Sequence, residues 1–330
     1  MREFGYERVF DVSGAVALLG TDPEARFLGG GTNLVDLMKA GVERPALLVD
    51  VRELPLDTVE FTPDSGLRIG ATVTNSDLAA HAEVRRHYPA LAQALLAGAS
   101  GQLRNMATVG GNLLQRTRCG YFSDLAKPCN KRVPGSGCPA IAGEHHNHAI
   151  LGASEHCVAT HPSDMAVALA AFDAVVSYET ADGPGELPVA EFYLPVGDTP
   201  HIETALPPGA LVTGVALPPA AVAAHSRYRK VRERASYAFA VGSIAAALDV
   251  QDGVVRDVRL AFGAVASRPW RARAAELTLT GGPASAEAYA AAADAELAAA
   301  QTLPENGYKV TLMRNLVVAV LTELAEEAAR

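Results

Sequence analysis

The chain has 330 residues, 49% of them apolar and 20% charged, with 28 Lys plus Arg against 37 Asp plus Glu and a formal net charge of −9. Such a length predicts about two domains, and the composition excludes fibrous and wholly disordered chains. The acidic balance argues against nucleic acid as a partner, because phosphate backbones attract basic surfaces. No apolar run reaches the ~18 residues of a spanning helix, so no membrane span is expected. The start, Met1-Arg2-Glu3-Phe4-Gly5-Tyr6-Glu7-Arg8, has no apolar stretch after its basic residue, so no secretory signal is expected either.

In chain order, Arg26-Phe27-Leu28 reads as a short strand that ends in the turn Gly29-Gly30-Gly31-Thr32-Asn33. Leu34, Leu37 and Met38 then recur at helical spacing until Gly41, and Ala46 to Val51 reads as a buried strand. Leu67 to Val73 reads as a strand, Thr74 as the N-cap of a helix through Leu78, and Pro89 to Leu96 as a second helix. Ala107 to Leu114 reads as a strand interrupted by Gly110-Gly111. Residues 116–162 contain Pro128, Pro134, Gly135, Gly137 and Pro139, which break regular elements, and five of the nine His. Ser163-Asp164 caps a helix through Leu169, and strands follow near Ala174–Tyr178 and Leu211–Leu217. Pro218 to Ala224 reads as a linker. Beyond it, Arg227–Val231, Val241–Val250 and Val254–Phe262 alternate as strands, the last two joined at Asp252-Gly253, before helices near Pro283–Ala300 and Val310–Ala329.

Two glycine sites stand out. In the first, residues without Cβ let the backbone come close to a ligand, and amides at the following helix start favour an anion such as a pyrophosphate. The competing reading is a tight turn. There is no Gly-x-Gly-x-x-Gly with an acidic residue ~20 positions on, and no Gly-Lys-Ser/Thr, so a Rossmann dinucleotide site and a Walker site are disfavoured. In the second, Ala107-Thr108-Val109-Gly110-Gly111-Asn112, a glycine pair in a strand marks either a close approach by another group or a β-bulge.

Taken in order, Phe27-Leu28-Gly29-Gly30-Gly31-Thr32-Asn33-Leu34, Thr108-Val109-Gly110-Gly111-Asn112, Ser163-Asp164 and Lys230 resemble the FAD-binding subunits of the xanthine dehydrogenase family of molybdenum hydroxylases. The resemblance implies an α+β chain. A PCMH-type FAD-binding domain of two α/β subdomains would occupy residues 1–220, and a smaller domain of antiparallel sheet plus helices would occupy 225–330. It implies FAD as cofactor, with the first glycine turn on the pyrophosphate and Thr108, Gly111, Asn112 and Asp164 along the ribityl chain and ring edge. Lys230 would lie close to the flavin, where its charge stabilises an anionic reduced form; the competing reading is a surface lysine. No residue is expected to act as nucleophile or general base.

All four cysteines, Cys119, Cys129, Cys138 and Cys157, fall within residues 116–162, separated by 9, 8 and 18 residues. Four soft ligands suit a cubane iron–sulfur cluster or zinc. The gaps match neither the close pairs of structural zinc sites nor ferredoxin motifs. Spacing alone therefore leaves a cluster, zinc, disulfides and free thiols all open. Arg116-Thr117-Arg118-Cys119, Pro128-Cys129-Asn130-Lys131-Arg132, Pro134-Gly135-Ser136-Gly137-Cys138 and Ser154-Glu155-His156-Cys157 resemble the flavin subunit of bacterial periplasmic-type aldehyde oxidoreductases. That resemblance implies a [4Fe–4S] cluster on the four cysteines. Arg116, Arg118, Lys127, Lys131 and Arg132 would offset its charge or form a solvated basic face. The histidines of this loop are expected at the surface or in hydrogen bonds rather than as ligands.

The resemblance further implies a heterotrimer. A large subunit with a molybdenum cofactor oxidises an aldehyde, and a small subunit with [2Fe–2S] clusters passes the electrons to FAD on this chain and on to an external acceptor. Xanthine dehydrogenase and hydroxybenzoyl-CoA reductase flavin subunits are the alternatives within the redox class, and a non-redox zinc and nucleotide module is the alternative outside it. The compartment is open between cytoplasm and periplasm, since a partner bearing a signal could carry this chain across the membrane.

Overall fold

The computed structural model describes residues 1–64 and 66–328. Three sheets are seen among them. The first holds β1 (Gly5–Arg8), β2 (Ala25–Leu28) and β3 (Leu47–Asp50), all parallel in the order β1-β3-β2. The helices Val12–Thr21 and Leu34–Ala40 connect them. The first of these helices is capped at its start, where Asp11 accepts from the Gly14 amide at 2.7 Å, and the second is closed at its end by Gly41 at φ 77°.

The second sheet is antiparallel. It comprises β4 (Val59–Thr62), β5 (Gly66–Gly70), β6 (Val175–Thr180), β7 (Gly183–Pro188) and β8 (Leu211–Leu217) in the order β4-β5-β8-β6-β7. Buried helices pack near it. Pro89–Ala97 starts on its proline, and Asp164–Ala171 is capped by the Ser163 hydroxyl, which accepts from the Ala166 amide at 3.0 Å. The third sheet holds β9 (Ser226–Val231), β10 (Gly242–Gln251), β11 (Val254–Gly263) and β12 (Trp270–Arg271), antiparallel throughout, with the helices Arg273–Leu279, Ala286–Leu297 and Tyr308–Ala328. The fold class is thus α+β, with the antiparallel C-terminal unit that the sequence led us to expect.

Several expectations need correction. Ala107 to Leu114 is not a strand: Val109–Leu113 is a short helix, and Thr108 caps it by accepting from the Gly111 amide at 3.2 Å. Pro218 to Ala224 is not a free linker. Ala221–Ala224 forms a 3-10 turn with Val222 and Ala223 buried, and the core beneath it continues from Leu67 and Leu91 to Tyr228 and Ala245. The final helix begins earlier than expected, at Tyr308, and the expected end at Ala329 lies outside the described residues.

The excursion at residues 116–162 is also more ordered than its composition suggests. It holds the short helix Gly120–Ser123 and a 3-10 turn at Pro139–Ile141. Ile150 and Leu151 enter the core of the C-terminal unit, and the amides of both donate to the Val265 carbonyl, at 2.8 and 2.9 Å. The excursion therefore stitches the two halves of the molecule together.

Candidate functional site

The two glycine bends touch each other. A Cβ on Gly30 would stand 1.7 Å from the Met106 carbonyl oxygen, and one on Gly29 would stand 2.8 Å from the Thr108 hydroxyl. Gly30 is therefore required by backbone packed on backbone, in addition to any ligand. Gly31 adopts φ 72°, which L side chains rarely take. An isolated bridge between Thr74 and Thr108 and the bond from the Asn75 amide to the Ala107 carbonyl, 2.8 Å, set the second bend in place.

The bends differ in where their amides point. In the second, Val109 donates to Val73, Gly110 to Ala71 and Asn112 to Thr108, at 2.8–2.9 Å, and Gly111 donates to the Thr108 side chain. In the first, the amides from Gly29 to Asn33 donate to no group of the chain among the described residues. Unpaired donors beside a helix start form an anion-binding surface.

A cavity lies on each side of this junction, one of about 520 Å³ and one of about 430 Å³. Thr32, Asn33 and Gly111 line both. Phe27, Gly29, Gly30, Gly31, Leu34 and Thr108 line the smaller, and Asn112, Asp164 and Lys230 the larger. Leu28 lines neither; its side chain lies beside Gly31 and its carbonyl accepts from Val51 at 3.1 Å. Two chambers joined at a waist of unspent amides have the form a dinucleotide requires, and their sizes fall in the usual range for ligand sites. Two buried polar atoms in the site lack partners, Asn33 Nδ2 and Asn75 Oδ1. Asn75 was not foreseen from sequence; the Thr74–Thr108 bridge brings it to the cavity wall, and local pattern does not encode that contact.

The asparagines also act as latches. Asn33 Oδ1 accepts from the Arg116 amide at 2.8 Å, and Asn112 Oδ1 accepts from the Ser163 hydroxyl at 2.6 Å. Both ends of the excursion are thereby fixed to a glycine bend. At the far wall of the larger cavity, Lys230 Nζ lies 2.7 Å from Asp164 Oδ2, with the two side chains only 4% and 8% exposed. Lys230 is thus no surface lysine. Asp164 Oδ1 accepts from the Tyr228 hydroxyl at 2.5 Å. Burial pushes the Asp164 carboxyl up, while Lys230 and Tyr228 pull against it. The pair sets a fixed, buried cation at the cavity edge.

None of the four cysteines is in a disulfide, and all four line one small cavity with Tyr121, Lys131 and His156. Among the described residues no set of three His, Cys, Asp or Glu side chains is grouped to hold a single metal ion. Burial raises the Cys119 thiol and pushes Cys157 up to about 11; nearby Lys131 counteracts it at Cys157. The basic residues of the excursion do not form a solvated face as a group. Arg116 binds Glu43 and Glu203, both at 2.7 Å, and Lys131 Nζ binds Glu203 at 2.6 Å. Arg118 lies over Phe239 at 4.8 Å and lines the larger cavity. Lys127 is exposed, and Arg132 donates to main-chain carbonyls of its own loop. Burial alone would raise the Glu203 carboxyl, but Lys131 and Arg116 together hold it below the usual range. The histidines are mixed: His146 is exposed, His156 is half-buried, His145 is buried, and His148 Nε2 lies 3.2 Å from Cys119 Sγ.

Comparison with known proteins agrees with this geometry. Residues 2–220 match the family described as the FAD binding domain in molybdopterin dehydrogenase, and residues 219–324 match the CO dehydrogenase flavoprotein C-terminal domain. The chain is 51% identical over 329 residues to the aldehyde oxidoreductase FAD-binding subunit PaoB of Escherichia coli K12, covering 99% of this chain and 100% of that one. It is 25% identical over 279 residues to the glyceraldehyde dehydrogenase medium chain of Sulfolobus acidocaldarius, covering 84% and 82%. Both are named as one part of a larger enzyme. Among solved structures, carbon monoxide dehydrogenase from Hydrogenophaga pseudoflava superposes with a TM-score of 0.75 at 26% identity, covering 97% of this chain and 96% of that one. Quinoline 2-oxidoreductase from Pseudomonas putida 86 shares the fold, with a TM-score of 0.76 at 22% identity over 100% and 99% of the two chains. Among the described residues no helix is long and apolar enough to cross a membrane. Paired glycine bends, a two-chambered groove and matches that together run from residue 2 to residue 324 converge on one conclusion: the chain belongs to the FAD-binding subunits of the molybdenum hydroxylases.

Proposed function

We propose that this chain is the flavin-holding electron-transfer subunit of a molybdenum-containing aldehyde oxidoreductase. It works in a heterotrimer with a small [2Fe–2S] subunit and a large subunit that carries the molybdenum cofactor and oxidises the aldehyde. The observation that carries the reading is the two-chambered groove, in a chain 51% identical along its length to an aldehyde oxidoreductase FAD-binding subunit. When bound, FAD supplies an acceptor that takes electrons singly and releases them in pairs.

The chain's own residues bind and orient the cofactor. The amides from Gly29 to Asn33 hold the pyrophosphate at the waist, with Phe27 and Leu34 in the nucleotide chamber. Thr108, Gly111, Asn112 and Asn75 line the ribityl path. Lys230, held by Asp164, presents positive charge toward the ring, which favours negative charge developing there on reduction. Lys230→Met is expected to lower the flavin midpoint potential, read by spectroscopic titration; an unchanged potential removes that role.

The reading extends to a [4Fe–4S] cluster on Cys119, Cys129, Cys138 and Cys157. Its support is that all four thiols line one cavity in a loop fixed at both ends, and that a cubane takes four thiolates. The cluster serves as an electron reservoir or as a clip on the loop. The test is purification of the assembled enzyme under anaerobic conditions, with flavin, iron, acid-labile sulfide and zinc assayed on this subunit. One FAD and four iron per chain are expected. A colourless subunit with equimolar zinc supports the non-redox module instead. Cys129→Ser that abolishes turnover with FAD and fold intact argues against a clip.

A further inference from the structure

Among the described residues, one side chain hydrogen-bonds a cysteine sulfur of the excursion: His148, whose Nε2 lies 3.2 Å from Cys119 Sγ. A sulfur bound to iron carries no proton, so in that contact the imidazole nitrogen must be the donor. The other ring nitrogen, Nδ1, is buried and has no partner. The ring therefore gives up one good hydrogen bond to keep its remaining nitrogen on the sulfur, which costs free energy unless the contact is used.

The placement is also built from outside the loop. The His148 amide donates to the His145 carbonyl at 3.0 Å, and its own carbonyl accepts from Asn306 Nδ2 at 3.4 Å. Asn147, one residue earlier, offers its carbonyl to the buried Lys309 Nζ at 3.0 Å, and Lys309 is fixed in turn by the Ala264 carbonyl at 2.8 Å. His145 Nδ1 pairs with the Ala140 carbonyl at 3.1 Å, and its Nε2 accepts from the Glu305 amide at 3.1 Å. Segments 145–148 and 305–309 are thus clasped by reciprocal bonds, and the histidine ring is their projecting tip.

We propose that His148 is a positioning residue that tunes the iron–sulfur group through Cys119: its N–H dipole stabilises the extra negative charge of the reduced group, and the C-terminal unit holds the ring at the sulfur. This rests on the [4Fe–4S] reading above. Hydrogen bonds to ligand sulfurs are among the determinants of cluster potential, and ligand orientation depends on such outer contacts.

The test is a redox titration of the assembled enzyme followed by electron paramagnetic resonance, on wild type, His148→Phe and His148→Gln. All three are expected to retain iron, sulfide and FAD. The phenylalanine variant is expected to reduce at a more negative potential, by about tenfold in the reduction equilibrium, or ~59 mV for one electron. The glutamine variant, which keeps an N–H donor, recovers most of that shift, and the flavin potential stays put in both. A potential unmoved or raised in His148→Phe overturns the proposal, as does a glutamine variant that behaves like phenylalanine. Loss of iron from either variant also overturns it, because the histidine would then be needed to build the site. Absence of iron and sulfide from the wild-type subunit instead retires the cluster reading itself.

Discussion

The two glycine bends look alike in sequence and do opposite work. At the second, every amide from Val109 to Asn112 is spent within the chain, so this bend is a rigid wall whose Gly110 sits 3.2 Å, by its missing Cβ, from the Ala71 side chain. At the first, the amides from Gly29 to Asn33 find no partner among the described residues, while Gly30 leans directly on the Met106 carbonyl. One bend is the support and the other is the hand. The lesson is that a glycine cluster reports a close approach without saying by what, and only the fate of its amides separates packing from binding.

The sharpest way to break this contrast is Gly30→Ala. Its new carbon would meet main chain, which cannot swing aside, so a loss of about 3 kcal/mol, the top of the usual overpacking range, is expected together with loss of flavin. Thermal unfolding and the flavin-to-protein ratio check it; a stable, yellow Gly30→Ala protein would show that the bends are not in contact. Gly31→Ala should cost less, roughly 1–2 kcal/mol for holding an L residue at φ 72°. Its effect should appear mainly as weaker FAD retention on dilution.

At the supporting bend, Thr108→Ala removes the helix cap and should cost roughly 1 kcal/mol by denaturant titration, with Thr108→Ser close to wild type. The smallest expected change is itself diagnostic. On removal of FAD, amide exchange should speed up at Gly29–Asn33 and stay nearly constant at Val109–Asn112. Equal responses in the two segments, measured by hydrogen–deuterium exchange with mass spectrometry, would erase the distinction.

The C-terminal sheet was the easiest part of the fold to read. β10 and β11 are long and apolar, and Asp252 and Gly253 take φ 53° and 74° in the tight connection between them, the two positive angles that an Asp-Gly pair favours. The second glycine bend was misread because Ala-Thr-Val-Gly-Gly-Asn-Leu-Leu is too short for periodicity to separate helix from strand. Thr108, an N-cap residue, was the overlooked clue. β7 was missed because Gly183–Pro188 has no apolar alternation; it is an edge strand bounded by glycine and proline, positions that an edge tolerates. The N-terminal helix had a readable cap in Asp11 that was passed over.

The candidate site divides the same way. The flavin-site residues singled out in the chain line the groove apart from Leu28, which turns aside, whereas Asn75, Tyr237, Phe239 and His201 also line it without any local mark. Clustering of the cysteines was legible at once. That the loop carrying them would be clamped by Glu305, Asn306 and Lys309 was not, because those partners lie about 160 positions downstream and carry no local mark.

That distance has a consequence for biogenesis. Ile150 and Leu151 lie in the same apolar core as Val317 and Leu321, so the cysteine-bearing stretch lacks its final mooring until the last helix has been synthesised. A ribosome still translating the C-terminal third would display the four thiols on a loop latched only at its two ends. If the cluster proposed above is built on these cysteines, its iron and sulfide belong after release, and a truncation that ends before Asn306 should leave the four thiols open to oxidation even though every cysteine is present.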